Sequence, residues 1–210
     1  KYINKNRALA IKINPENYIL PKHDIMYEGA DWTEQYPGAI EEMDEKFPTP
    51  LGKELTSTTI YFDSDHAHDQ KTRRSITGMI AFIGSTPVTW ASKRQGAIAT
   101  STYTAELCAG RTAAEEAISI RYMLRSLGVP VTTRTLLLGD NLGSLQSTSN
   151  PGSECHKKHS MVNYHCVREC CASGIIQLAK VDTKLNLSDG FTKAIEKSIY
   201  LDHRRCHFAA

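Results

Sequence analysis

Residues 57–69 read STTIYFDSDHAHD. Thr58, Ile60 and Phe62 alternate with Thr59 and Tyr61, all residues that favour extended backbone. Asp63, Asp65 and Asp69 follow, with only a Ser, two His, and an Ala between them. Like charges this close raise the free energy of a fold unless a proton or a cation neutralises them. A hydrophobic strand running straight into clustered acids therefore limits what the chain can become. The strand end must be carried to a place where that charge is balanced, and the residue types invite a metal.

The remaining elements are arranged around this strand. SITGMIAFIG (75–84) and VTWASK (88–93) read as a second and third strand joined through GSTP. Phe82 and Trp90 are expected in the core, as strand aromatics usually are. From Ser101 to Leu127, Ala105, Ala109, Ala113, Ala117, Ile120, Leu124 and Leu127 step by three or four and form one apolar helical face. Ser101 or Thr102 can cap that helix, and Gly128 with Pro130 ends it. TRTLLLGD (133–140) is a short strand ending in an acid, NLGSLQST a short helix that Asn141 can cap, and NPGSE a loop. A helix over about 159–171, a strand at 175–181 and a last helix opening in LSDGFTKAI complete the order β-β-β-α-β-α-α-β-α. Three antiparallel strands followed by β/α alternation predict an α/β fold. Its sheet would be mixed and five-stranded, with helices on both faces.

Residues 1–57 read differently. Pro15, Pro21, Pro37, Pro48 and Pro50 break any long helix, and the stretch from Glu28 to Glu54 is acidic and turn-rich. This segment is expected to be a linker or surface wrap. It holds 10 acids and 7 Lys or Arg, net −3, whereas residues 58–210 hold 13 acids and 18 Lys or Arg, net +5. That asymmetry suits a polyanionic partner for the second part. The chain opens without an initiator Met or an apolar signal core, so a fragment of a longer polyprotein is expected. No apolar run approaches the ~20 residues of a membrane span, and no membrane partner is expected. Six Cys without a secretory signal point to a reduced, intracellular setting.

Four carboxylates sit where chemistry would want them. Asp63 and Asp140 close strands, where ligands of open α/β sheets gather. Glu106 precedes the apolar-face residue Ala109 by three and can share its inward side. Asp189 opens the last helix. Converging, they would make a pocket for two hard divalent ions such as Mg²⁺. Plainer readings exist for each alone: Asp140 as a helix cap, Glu106 as a charge favoured near a helix N-terminus. An EF-hand is disfavoured because Ala67, His68 and Arg74 occupy its key positions.

At these residues the chain resembles a family. From about Thr58 to Ile195 it is similar to the ribonuclease H domain of copia-type LTR retrotransposon polyproteins. The matching stretches are YFDSDHAHD with TRRSITG, then PVTWASKRQ, STYTAE, RYMLRSLGVP, GDN, HKKHSMVNYHCVRE and LSDGFTKA, in that order. The resemblance implies a ribonuclease H fold over 58–197, a connection to a reverse transcriptase domain over 1–57, and a tail over 198–210. It implies cleavage of the RNA strand of RNA–DNA hybrids during reverse transcription, inside the cell, in virus-like particles and also the nucleus. Asp63, Glu106, Asp140 and Asp189 would hold two Mg²⁺ ions, with Mn²⁺ as a substitute. Asp65 would be a secondary acid, and Asp63 the bridging one because it directly ends its strand. Departures are Gly139, where a Cys usually precedes DN; Leu142, in place of a Gln or Glu; Ser160 and Met161, in place of Ile-Asp; and no His shortly before Asp189.

Hybrid contacts are expected from Asp65, Arg73, Arg74, Ser75, Lys93, Arg94, Ser101, Thr102 and Asn141, mostly to phosphates. Cys155, His156, His159, His165, Cys166 and Cys170 crowd together, but without the paired spacing of a zinc site. Cys166 and Cys170 read as small core residues on a helix stripe. Two other functions compete with a hydrolase: a catalytically dead nucleic-acid-binding or tether module, and an integrase or transposase of the same fold. The spacing of GDN, Asp189 and STYTAE disfavours the last.

Overall fold

Alternation along Thr58–Asp65 sends Ile60 and Phe62 to one side of a strand and Tyr61 to the other, and both sides are covered. A computed structural model describes residues 20–52, 56–131 and 133–207. Its strands are β1 (His23–Ile25), β2 (Thr58–Asp65), β3 (Ile76–Ile83), β4 (Thr86–Arg94), β5 (Thr135–Gly139) and β6 (Ile176–Val181). They form one sheet in the order β1-β6-β5-β2-β3-β4. β2, β3 and β4 are antiparallel neighbours, whereas β2–β5 and β5–β6 are parallel. The helices are α1 (Thr102–Ser126), α2 (Leu142–Ser149), α3 (Met161–Ala172), α4 (Asp189–Thr192) and α5 (Lys197–His207).

The larger core joins Ile60, Phe62, Leu137 and Leu178 of the sheet to the alanine face of α1 and to Val167, Cys170 and Cys171 of α3. On the opposite face Tyr61, Phe82, Leu138 and Val181 pack with Leu187 and Phe191. Small alanines let α1 approach the sheet closely, and Ser101 caps it by accepting the Thr104 N–H. Gly128, at φ +73°, takes the left-handed conformation that ends the helix. Leu127 lies past the last turn and is exposed rather than part of the apolar stripe.

The α/β architecture is as the sequence predicts, but the sheet has six strands, not five. The extra strand, β1, is three residues long and pairs His23–Ile25 antiparallel with Val181–Ala179. A three-residue run shows no alternation, so nothing in its sequence marked it. Trp90 also departs from expectation: β4 is an edge strand, and its outward face leaves that ring 50% exposed. At the C-terminus the expected tail is helical through His207. The readings of residues 1–19, 53–55, 132 and 208–210 lie outside the described residues.

The segment before β2 is anchored to the body. Trp32 is buried in the larger core, with the Arg168 guanidinium 4.8 Å above its ring. Glu41 accepts from both Arg121 and Arg125 of α1, bidentate to Arg121 at 2.7 Å on each oxygen. Burial works to raise the Glu41 pKa, but the two guanidiniums outweigh it and hold it down at about 2. Removing one member of such a cluster strands buried charge. Glu41→Ala is therefore expected to cost about 3 kcal/mol in urea unfolding at pH 7. Because the folded pKa is depressed, the wild-type contribution is present above the ordinary carboxylate value and is lost as pH falls towards 2. An unchanged unfolding midpoint in the variant would refute the clamp.

Candidate active site

The parallel pairing of β2 with β5 brings two strand ends to the same edge of the sheet. Asp63 sits near the end of β2 and Asp140 directly follows β5. One turn into α1, Glu106 points back at the same corner and is buried, as Asp63 is. Carboxylate oxygens of Asp63, Glu106 and Asp140 lie within 4.8 Å of one another. The electrostatics follow from that crowding. Burial, reinforced by Asp63 and Asp140, pushes the Glu106 pKa up to about 8. Burial and Asp63 likewise raise that of Asp140, against a hydrogen bond from Thr183.

Asp189 arrives on the single turn of α4 and is also buried. Burial and then Asp63 raise its pKa to about 7. Thr192, on the same turn, donates its hydroxyl to Asp63 Oδ2. Lys193 then sets its ammonium 3.1 Å from Asp189 Oδ2 and 3.8 Å from Asp63 Oδ2. Burial lowers the lysine's pKa, but the acids around it win and the net shift is upward. Lys193 is a site residue the sequence reading missed, although its position four after Asp189 places both on one helical face.

β2 runs on through Asp65, so Asp63 does not end its strand. Its claim rests instead on burial within the cluster, whereas Asp65 pairs with His68. Gly139 has a packing reason: a Cβ there would come 2.7 Å from the Phe62 ring. The large Phe62 fills the space that a side chain at 139 would take.

Of the residues expected to grip nucleic acid, Arg73, Lys93, Arg94 and Thr102 are exposed, and Arg74, Ser101 and Asn141 half-buried. Asp65 is half-buried and Arg94 donates to Asp69 at 2.8 Å, bracing the loop after β2. Asn141 caps α2 by accepting the Ser144 N–H. Ser75 is a correction: it is fully buried, and its hydroxyl accepts the Ala67 N–H, so it faces no ligand. Lys157, overlooked in the sequence, donates to Ser101 Oγ at 3.0 Å and lies 5.1 Å over the Tyr103 ring. His159 Nε2 is 2.9 Å from Thr100 Oγ1. Together these build a cationic and hydroxyl-bearing ridge beside the N-terminus of α1. Cys170 is buried and Cys166 half-buried on α3.

Comparison with known proteins bears on the sequence and the fold. No family model matches the chain. It is 29% identical over 140 residues to the retrovirus-related Pol polyprotein from transposon RE1 of Arabidopsis thaliana, covering 67% of this chain and 10% of the relative. The corresponding polyprotein from transposon RE2 of the same plant is 28% identical over 145 residues, covering 69% and 10%. That from transposon TNT 1-94 of Nicotiana tabacum is 28% identical over 138 residues, covering 66% and 10%. The chain thus spans about a tenth of the length of the curated relatives it matches. Among solved structures, RNase H1 from the halophilic archaeon Halobacterium salinarum NRC-1 superposes with a TM-score of 0.50 at 16% identity, covering 65% of this chain and 94% of that one. The fold is ribonuclease H-like, and the resemblance read from the motifs to transposon polyproteins is borne out. Among the described residues no helix is long and apolar enough to cross a membrane.

Proposed function

We propose that this chain is the ribonuclease H unit of a retrotransposon polyprotein and hydrolyses the RNA strand of RNA–DNA hybrids during reverse transcription. The convergence of Asp63, Glu106 and Asp140 at one corner of a ribonuclease H-like sheet carries this reading. The corner fits a hard divalent cation. Its donors are carboxylate oxygens, and Glu106 Oε2 and Asp189 Oδ1 are buried without a hydrogen-bond partner. Asp63, Glu106 and Asp140 would hold one Mg²⁺; a second, on Asp63 and Asp189, would displace the Lys193 ammonium that lies between them, and Mn²⁺ could substitute. Such ions, when bound, supply an activated water and stabilise the leaving oxygen in phosphodiester cleavage.

The chain's own groups do the rest. Thr192 orients the Asp63 carboxylate through its hydroxyl. Lys193 balances Asp63 and Asp189 with its own charge. Glu106 would sense the ribose 2′-hydroxyl that marks RNA. Ser101, Thr102 and Lys157, with Arg73, Arg74, Lys93 and Arg94, would hold phosphates without reading bases. The reverse transcriptase domain of the same polyprotein is the expected neighbour, with residues 20–52 as part of the connection.

The test is a labelled RNA–DNA hybrid, a DNA duplex and single-stranded RNA, each incubated with Mg²⁺ or a chelator. Cleavage of the hybrid's RNA strand alone, in Mg²⁺ alone, is the expected result. Binding without cleavage would establish the dead-module reading instead. Hybrid affinity should also fall steeply with salt, and Lys157→Ala should shallow that log–log slope by about one. A salt-independent affinity would refute the phosphate grip.

A further inference from the structure

We propose that Gly78 is a positioning residue: it is the seat that lets α4 bring Asp189 and Lys193 up to the acid cluster. The inference rests on the metal-site reading above and deepens it. β3 places Gly78 directly opposite Asp63 in the β2–β3 register. A Cβ built on Gly78 would come 2.6 Å from Thr192 Cγ2, 2.8 Å from the Ser188 carbonyl oxygen and 3.0 Å from Phe191 Cβ. Non-bonded carbon atoms settle at about 3.5–4 Å. A rotamer change could move only the first of these atoms. The other two are backbone, or fixed to it, so α4 itself would have to retreat.

Gly78 serves space rather than backbone freedom, since its φ does not lie in the left-handed region. The turn it admits is short and is fastened around the glycine on several sides. Ser92 Oγ on β4 donates to the Phe191 carbonyl at 2.6 Å, and Thr192 donates to Asp63. Asn186 Nδ2, just before α4, donates to the Phe62 carbonyl at 3.1 Å. A retreat of α4 by about 1 Å away from Asp63 would therefore stretch the Thr192–Asp63 bond beyond hydrogen-bond length and carry Asp189 and Lys193 outward together. The site's fourth carboxylate is set by the absence of a side chain on a neighbouring strand.

Mn²⁺ titration of the full chain by calorimetry, with a thermal melt of each protein, tests this. Gly78→Ala is expected to unfold cooperatively yet bind Mn²⁺ at least tenfold more weakly, and Asp189→Asn is expected to show a loss of the same size. Combining the two should weaken binding by less than the product of the separate effects, because both act through Asp189. Gly96→Ala, where a Cβ meets nothing within 4 Å, should leave both measurements unchanged. If Gly78→Ala does not fold, Gly78→Ala with Thr192→Ser is measured, since the Ser removes the nearest clashing atom and keeps the hydroxyl on Asp63. A folded Gly78→Ala with wild-type Mn²⁺ affinity would overturn the proposal. So would failure of both variants to fold, because the glycine would then be required by the fold as a whole and not by the site. Mn²⁺ binding is read without turnover. A wild-type chain that binds the ion but leaves the hybrid intact would sink the proposed function and not the seat.

Discussion

Asp140→Asn is expected to lower Mg²⁺-dependent cleavage of an RNA–DNA hybrid by roughly 10³-fold, the scale of losing a group that stabilises transition-state charge. The same change should leave the metal-free protein at least as stable as wild type. Both outcomes come from one geometry. Asp140 is half-buried just past β5, beside Asp63 and Glu106, and burial with repulsion from Asp63 already raises its pKa. An amide of the same shape removes a charge that the folded chain tolerates poorly, while withdrawing a carboxylate from any cation held there. Initial rates on labelled hybrid and melts in chelator separate the two effects. Activity within tenfold of wild type would remove Asp140 from the site. A variant that lost activity only by unfolding would equally refute the argument.

The opposite signs of those effects also explain why the site was legible in the sequence. A fold selected for stability alone would not keep acids near the ends of two strands that its own topology brings together. Asp63 and Asp140 stood out because apolar strands ran directly into them. Glu106 stood out because it shared a helical face with small alanines. What the sequence did not reveal has a common cause in long-range packing. β1 was invisible because three residues carry no period, and its partner β6 is over 150 residues away. Lys193 and Lys157 carried no sequence signal that was read, and only the fold sets one against two acids and the other against the α1 cap. Ser75 followed two arginines and shared their expected role, yet the turn directs its hydroxyl inward to Ala67. Gly78 and Gly139 gave no chemical signal, since the reason for each lies in an atom from another element.

Metal-free wild type should become less stable as pH rises from about 5 to 8, and Glu106→Gln should abolish most of that loss. Burial, then Asp63 and Asp140, hold Glu106 at about 8, against an ordinary value of 4.5. Between those values the folded chain keeps a proton that the unfolded chain has released. The sign is therefore fixed: the contribution is full below the unfolded pKa and is lost as pH climbs through the folded one. Integrated over that window it is on the order of 4 kcal/mol, at about 1.4 kcal/mol per pH unit. Asp189, raised to about 7, adds in the same sense over a lower window. Gln keeps the shape of the protonated acid, so the variant should melt well above wild type at pH 8 in chelator and nearly level with it at pH 5. Mn²⁺ should reverse the order at pH 8, because a cation that binds only the folded state stabilises it by mass action. Wild type would gain and Glu106→Gln would not. If the wild-type melting temperature in chelator is flat from pH 5 to 8, Glu106 is not held among like charges in a dry corner. The acids would then have to be solvated apart, and no single cation could answer all of them.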